Sequence, residues 1–327
     1  MPRDQPSSTL HVPARDIPIP SSVSPAAQAM LAMRMSAPAA PAFDAPAATW
    51  RAYLAAMDAT VLSMVQARTA SAPVDVEEID VDGVRIFAVT PHERDADDGA
   101  IYLDIHGGGL VQGGGELCRV FAIGSALRVR ARIWSVDYRM PPDHPYPAPL
   151  DDCLTAYRAL LRKHRPQDIV IGGGSAGGNL AAASVLRARD EGLPLPAAVV
   201  LGTPELDLTE SGDSFQTNLG VDTVLTGSLM SSNLLYAAGH DLAHPYLSPL
   251  FGDFTKGFPP TFLSTGTRDL FLSNTVRMHR ALRAAGVPAE LHVVEAGPHG
   301  GFSGAPEGDE LDRELRTFLR RIWAQRA

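Results

Sequence analysis

The sequence predicts an α/β fold with a mostly parallel, eight-stranded sheet flanked by helices and a helical cap. Three observations carry this prediction. Short apolar, β-branched runs alternate with helical patterns from about residue 100 onward, and such alternation gives a parallel sheet covered on both faces. In mid-chain, Ile169-Val170-Ile171 meets Gly172-Gly173-Gly174-Ser175-Ala176-Gly177-Gly178 and an alanine-rich helical pattern, the order strand, tight turn, helix. Before the alternation begins, Val76–Val81 and Val84–Val89 flank Asp82-Gly83, a favoured two-residue hairpin turn.

Residues 1–23 are rich in Pro and Ser and read as an extended or disordered arm. Ser24-Pro25 supplies an N-cap followed by proline at the first helical position, opening a short helix through Met30, Met33 and Met35. A Pro/Ala linker leads to a helix from about Ala47 to Arg68, with Leu54, Met57, Val61 and Val65 on one face. Methionines at this spacing are core residues or the wall of an adaptable apolar pocket. Residues 1–70 are thus an N-terminal arm with cap helices, and 71–327 the main domain.

After the hairpin, strands are expected at Ala100–Ile105, Ile133–Tyr138, Ile169–Ile171, Ala197–Leu201, Thr261–Ser264 and Leu291–Val294. Helices are expected at Val120–Arg130, from about Leu150 to His164, and at 178–190, 274–285 and 308–324. The alternation breaks at about 203–245, where a helical pattern around Gly227–Ala238 stops at Gly239. An insertion there lies above the carboxyl ends of the strands, where ligands bind in such folds, and would complete the cap.

Bulk properties narrow the function. An apolar fraction of 45% and a charged fraction of 20% over 327 residues are those of a soluble globular protein. A net charge of −9 without basic clusters argues against nucleic acid or an anionic membrane as partner. The first residues lack an apolar core for a signal peptide and no run is long enough to cross a membrane, so the expectation is a cytoplasmic protein, with a homo-oligomer left open. Cys118 and Cys153 have no metal spacing and read as free, buried thiols. No metal or organic cofactor is expected.

The glycine knot admits three readings. Gly173-Gly174-Ser175-Ala176-Gly177 fits Gly-x-Ser-x-Gly, a strained turn that lifts a serine hydroxyl above the end of a sheet. Gly172–Gly177 also fits the Gly-x-Gly-x-x-Gly dinucleotide fingerprint, but that motif should open the first βαβ unit. A Walker loop needs Lys after its last glycine, where Gly178 stands. The surroundings favour the first reading. His106-Gly107-Gly108-Gly109 follows the third strand, and side-chain-free residues there let backbone N–H groups approach a developing oxyanion, with Ala176 N–H as a further donor. A serine nucleophile needs a base and an orienting acid, in the chain order Ser, Asp or Glu, His. His299 follows the last strand in a turn-rich loop, whereas His292 and His279 lie within a strand and a helix. Asp269 follows the seventh strand, and Asp207, one strand earlier, competes with it.

Together with Asp137–Ala148 (Asp-Tyr-Arg-Met-Pro-Pro-Asp-His-Pro-Tyr-Pro-Ala), these stretches resemble the hormone-sensitive-lipase-like family of α/β-hydrolases, the bacterial family IV carboxylesterases, over residues 76–325. The resemblance implies Ser175 as nucleophile, Asp269 and His299 as its partners, and Gly107, Gly108 and Ala176 as oxyanion donors. It implies hydrolysis of small esters, with short to medium acyl groups expected; the same triad would serve a lactone or an amide. A ligand-binding member without catalysis is the reading from another class, and the presence of His299 argues against it. Three departures stand out. Gly174 replaces the usual Asp, Glu or Thr before the serine, which removes a side chain that could order the oxyanion loop. Leu270-Phe271-Leu272-Ser273 replaces the usual Pro-Leu-x-Asp. Gly113-Gly114-Gly115 suggests flexibility after the oxyanion loop. Tyr138, Arg139 and His144 read as structural.

Overall fold

The structure, a computed structural model, describes residues 9–33, 38–97 and 99–325. Its eight strands are β1 (Val74–Val81), β2 (Val84–Pro91), β3 (Ile101–Ile105), β4 (Ile133–Asp137), β5 (Ile169–Gly174), β6 (Ala198–Gly202), β7 (Thr261–Gly266) and β8 (Ala289–Val294). They form one sheet in the order β1-β2-β4-β3-β5-β6-β7-β8. The β1–β2 and β2–β4 pairs are antiparallel and all others parallel. The hairpin turns at Asp82 and Gly83, both at positive φ (54° and 86°), the backbone such a two-residue turn requires.

The strands alternate between two cores. Ile101, Leu103 and Ile105 of β3 face one layer with Ile169, Ile171, Val199, Leu201 and Leu263. That face is covered by α4 (Ala148–Leu161), α5 (Ala176–Asp190) and α8 (Leu272–Ala284). Tyr102, Val170, Val200 and Phe262 face the other layer, closed by α3 (Glu116–Val129) and α9 (Pro306–Ala324) through residues such as Ala122, Ala126, Leu315 and Phe318. Burial on both faces explains why β3, β5 and β6 read as continuous apolar runs.

The remaining helices are α1 (Pro25–Ala32), α2 (Ala47–Thr69), α6 (Ser214–Thr217) and α7 (Met230–Ala237). The Ser24 hydroxyl accepts the Ala27 N–H at 3.2 Å, the expected N-cap. The helix ends earlier than its methionine spacing suggests: Met33 is extended, and Met35 lies outside the described residues. Met33 and Met64 are exposed, while Met30 packs beside Ala296 and Phe302, next to the His299 loop. Met57 is half-buried on α2. The α2 helix is anchored by Trp50, which is fully buried and packs with Leu54 and Val111 and against Leu235 of α7. The α2 helix and the insertion thus meet at Val111, in the loop that follows β3, whereas α1 packs against Ala296 and Phe302. The short α6 escaped the sequence reading because four residues are too few for a period to show. Cys118 and Cys153 are free and buried.

Candidate active site

The β5–α5 turn is built by exclusion of side chains. Ser175 has φ 56° and ψ −126°, a strained conformation for a residue with a Cβ, and its N–H is tied to Gly202 O at 2.9 Å. A Cβ on Gly173 would lie 2.4 Å from Ile105 O, and one on Gly177 would lie 1.9 Å from the same atom. The crossing of β3 under the turn therefore demands glycine at both positions. Gly172 is packing of another kind: its missing Cβ makes room for the Tyr102 hydroxyl in the sheet, so it is no part of a phosphate-binding turn. With the turn in the fifth strand's connection, the dinucleotide reading falls.

His106 and Gly107 pass directly beside the serine. A Cβ on Gly107 would sit 3.3 Å from Ser175 Cβ, and one on Gly108 (φ 133°) would collide with Gln112 O. No hydrogen bond engages the N–H of Gly107 or Gly108 among the described residues. Ala176 is the first residue of α5, where helix geometry leaves the N–H without an intrahelical acceptor. Gly174 has room for a side chain, since a Cβ there would meet only Gly202 O, at 3.6 Å.

The loop is stiffened without that side chain. Tyr138 stacks on the His106 ring (centroids 4.1 Å apart, 9° between planes) and donates its hydroxyl proton to His106 O at 3.0 Å. Asp58 of α2 accepts the Gly113 N–H at 3.1 Å, and Asp137 accepts the Gly115 N–H at 2.9 Å. Gly113 and Gly115 have φ of 104° and 64°. The expectation that Gly113–Gly115 is flexible is corrected: these glycines take backbone angles that other residues avoid, and two of their N–H groups are held. Arg139 pairs with buried Asp152 and supports the fold. His106, Cys118 and Asp137 come close enough to suggest a metal cluster, with ligand atoms within 4.8 Å of one another. Two of the three are engaged with protein partners: Asp137 with Arg85 and the Gly115 N–H, and Cys118 with Ser135.

On the far side of the sheet's carboxyl edge, His299 Nδ1 lies 3.1 Å from Asp269 Oδ1, both side chains buried. Asp269 is itself fixed, accepting the Thr265 hydroxyl proton at 2.7 Å and the Phe271 N–H at 2.9 Å. The Phe271 ring meets the imidazole edge-on at 4.9 Å. Burial opposes the imidazolium, but the hydrogen bond and charge of Asp269, with the charges of Asp222 and Glu205, outweigh it and hold the His299 pKa above its ordinary value. Asp207 is occupied elsewhere: it accepts from Thr209, Ser211 and Arg277 and makes no contact with His299 among the described residues. Burial alone would raise its carboxyl, yet those partners hold it below the usual range. The Ser175 hydroxyl makes no hydrogen bond among the described residues. Such contacts are often long before substrate binds.

Two acids here were not singled out from the sequence. Asp222, in the insertion, receives backbone N–H groups from both the Asp269 and the His299 loops. Glu205 donates its N–H to Ser175 O at 3.1 Å, while both its carboxyl oxygens are buried without a hydrogen-bond partner among the described residues. Burial, helped by the charge of Glu210, pushes its carboxyl up to about 7, against the opposing pull of His299 and of the neighbouring Asn233 amide. Either carboxylate could be found only by knowing which distant loops converge on it.

A strained serine turn, a glycine loop with open N–H groups and a buried His–Asp pair, all at the carboxyl edge of a mostly parallel sheet, define an α/β-hydrolase. The family model described as the alpha/beta hydrolase fold matches residues 102–303. An acetyl-hydrolase of Streptomyces hygroscopicus is 35% identical over 193 residues, 58% of this chain and 64% of its own length. The crystal structure of an esterase E25 superposes with a TM-score of 0.90 at 37% identity, covering 96% of this chain and 99% of that one. An esterase from the bacterial hormone-sensitive lipase family gives 0.77 at 30% identity, with 92% and 99% covered. The chain belongs to the hormone-sensitive-lipase-like esterase family of the α/β-hydrolases. No helix among the described residues is long and apolar enough to cross a membrane.

Proposed function

We propose that the protein hydrolyses small carboxylic esters, with Ser175 as nucleophile, His299 as base and Asp269 as the acid that orients it. The observation that carries this reading is the buried Asp269–His299 hydrogen bond in a chain whose only glycine-locked strained serine turn among the described residues is Ser175. His299 Nδ1 is committed to Asp269, so Nε2 is the nitrogen left to take the Ser175 proton as Oγ attacks the carbonyl. The N–H groups of Gly107, Gly108 and Ala176 receive the oxyanion, held in place before the charge develops. The imidazolium then protonates the leaving alcohol, and water, activated by the same nitrogen, releases the acid from the acyl-enzyme. The insertion and the first two helices form the cap. Leu229 of the insertion reaches within 4.0 Å of where a side chain on Gly109 would begin, so the cap narrows the space above the oxyanion loop. That narrowing suits short to medium acyl groups.

Turnover of p-nitrophenyl acetate, butyrate and palmitate by the wild type, Ser175→Ala, Asp269→Asn and Asp207→Asn tests this. The expected result is acetate or butyrate far above palmitate, a loss on the order of 10⁶-fold in Ser175→Ala and a somewhat smaller one in Asp269→Asn. Palmitate as the best substrate would overturn the acyl preference. Near-wild-type turnover in Asp269→Asn with a large loss in Asp207→Asn would overturn the acid assignment.

A further inference from the structure

The Asp222 carboxylate gathers backbone N–H groups from three segments of the chain. Oδ1 accepts from Val224 at 2.9 Å and Leu225 at 3.2 Å, closing its own turn, as loop aspartates commonly do. Oδ2 does something a local turn does not need. It accepts the Leu270 N–H at 2.8 Å and the His299 N–H at 3.2 Å, and the latter also reaches Oδ1 at 3.3 Å. Leu270 directly follows Asp269, and His299 is its partner, so one carboxylate grips both halves of the pair through their backbones. Asp222 is fully buried and pairs with no Lys or Arg among the described residues; its satisfaction comes from these amides. Four residues earlier, Asn218 donates to Asp269 O at 2.8 Å and Thr267 O at 3.3 Å and accepts the Asp222 N–H at 3.0 Å. The 218–222 turn is therefore bonded to the acid loop on both sides of Asp269.

We propose that Asp222 is a positioning residue that clamps the Asp269 and His299 loops to each other and to the 203–245 insertion. The proposal rests on the Ser175–His299–Asp269 reading. Only an acceptor on both oxygens fits the position: an amide there must turn its NH₂ either onto the Leu270 and His299 N–H groups or onto those of Val224 and Leu225. The clamp also places a negative charge beside His299, alongside Asp269 and Glu205, the other carboxyl groups that act on the imidazole. Its consequence is that the part of the cap above the sheet and the proton-transfer pair move as one body.

The test is Asp222→Asn, with kcat, KM, the pH profile of kcat/KM and the melting temperature measured on p-nitrophenyl butyrate, beside Ser175→Ala and His299→Ala. The expected result is a kcat lower by about 10²-fold with KM little changed, the cost of a small misplacement of the base. The acid limb of kcat/KM moves to lower pH, because a charge that favoured the imidazolium is gone; a merely structural residue would leave that limb in place. Wild-type kcat with an unmoved acid limb overturns the proposal. Should Asp222→Asn not fold, Asn218→Ala loosens the same acid loop without removing a charge. It is expected to lower kcat by about tenfold with the acid limb unmoved, and unchanged kcat there overturns the clamp. Activity surviving in Ser175→Ala or His299→Ala would instead strike the triad reading itself.

Discussion

At the scale of residues, the site is a problem of charge around His299. In the proposed reaction the imidazole must be neutral to accept the serine proton and charged a moment later, in a largely buried place. Asp269 favours the charged form through a hydrogen bond, and Asp222 and Glu205 favour it through their fields. The sign follows directly: a base held above its ordinary value of 6.5 is neutral only at higher pH, so activity rises with pH through that raised value. The Glu205 carboxyl is itself pushed up to about 7 and so is only partly charged where the imidazole titrates; Glu205→Gln is expected to move the acid limb of kcat/KM modestly to lower pH while leaving kcat on the plateau within about threefold of the wild type. An acid limb that stays in place in Glu205→Gln would show that its field does not reach the imidazole. Ser175 was legible in the sequence because its environment is local: the glycines on either side are dictated by the same turn. Asp269 and Asp207 could be ranked but not separated from sequence, since both follow strands on the same edge. Only the packing shows one bonded to His299 and the other to Arg277. Asp222 and Glu205 gave no signal, because their partners lie 77 and 30 residues away in the chain or are not polar side chains at all.

At the scale of elements, α2 serves the loop after β3. With a glycine at position 174 before the serine, that loop is supported from above and behind, by Asp58 of α2 on Gly113 and by Tyr138 on His106. Asp58 is half-buried, and burial raises its carboxyl pKa against the hydrogen bond from Gly113. Asp58→Ala should therefore loosen the oxyanion loop and lower kcat by about tenfold, less than the loss of a donor itself. Unchanged kcat on p-nitrophenyl butyrate, with only the melting temperature lowered, would make the contact structural alone. The sequence revealed α2 by its apolar spacing, but not this contact: a solvent-side aspartate on a helix looks the same whether or not a loop lies over it. Strand positions were legible for the opposite reason. Successive residues of each central strand, such as Ile101, Tyr102 and Leu103 of β3, turn to opposite cores, and burial on both faces keeps the runs largely apolar. The short α6 and the early end of α1 were not legible, being set by contacts with α8 and α9 and by an extended Met33.

At the scale of the molecule, the sheet brings together segments far apart in the chain. The carboxyl ends of β3, β5, β7 and β8 carry the glycine loop, the serine, the acid and the histidine in that order. Their strands lie near one another because the sheet order places β3 and β5 side by side and β7 and β8 at the edge beyond β6. The proposed cap is tied to this edge at two places, by Asp58 to the loop after β3 and by Asp222 to the Asp269 and His299 loops. The whole arrangement has one purpose in this account, to make the Ser175 hydroxyl an acyl acceptor. Mass spectrometry of the folded protein after exposure to a fluorophosphonate probe measures that directly. One adduct is expected, on Ser175, formed rapidly in the wild type and lost in His299→Ala. No adduct on Ser175 in the folded wild type, or an adduct formed just as fast without His299, would contradict it.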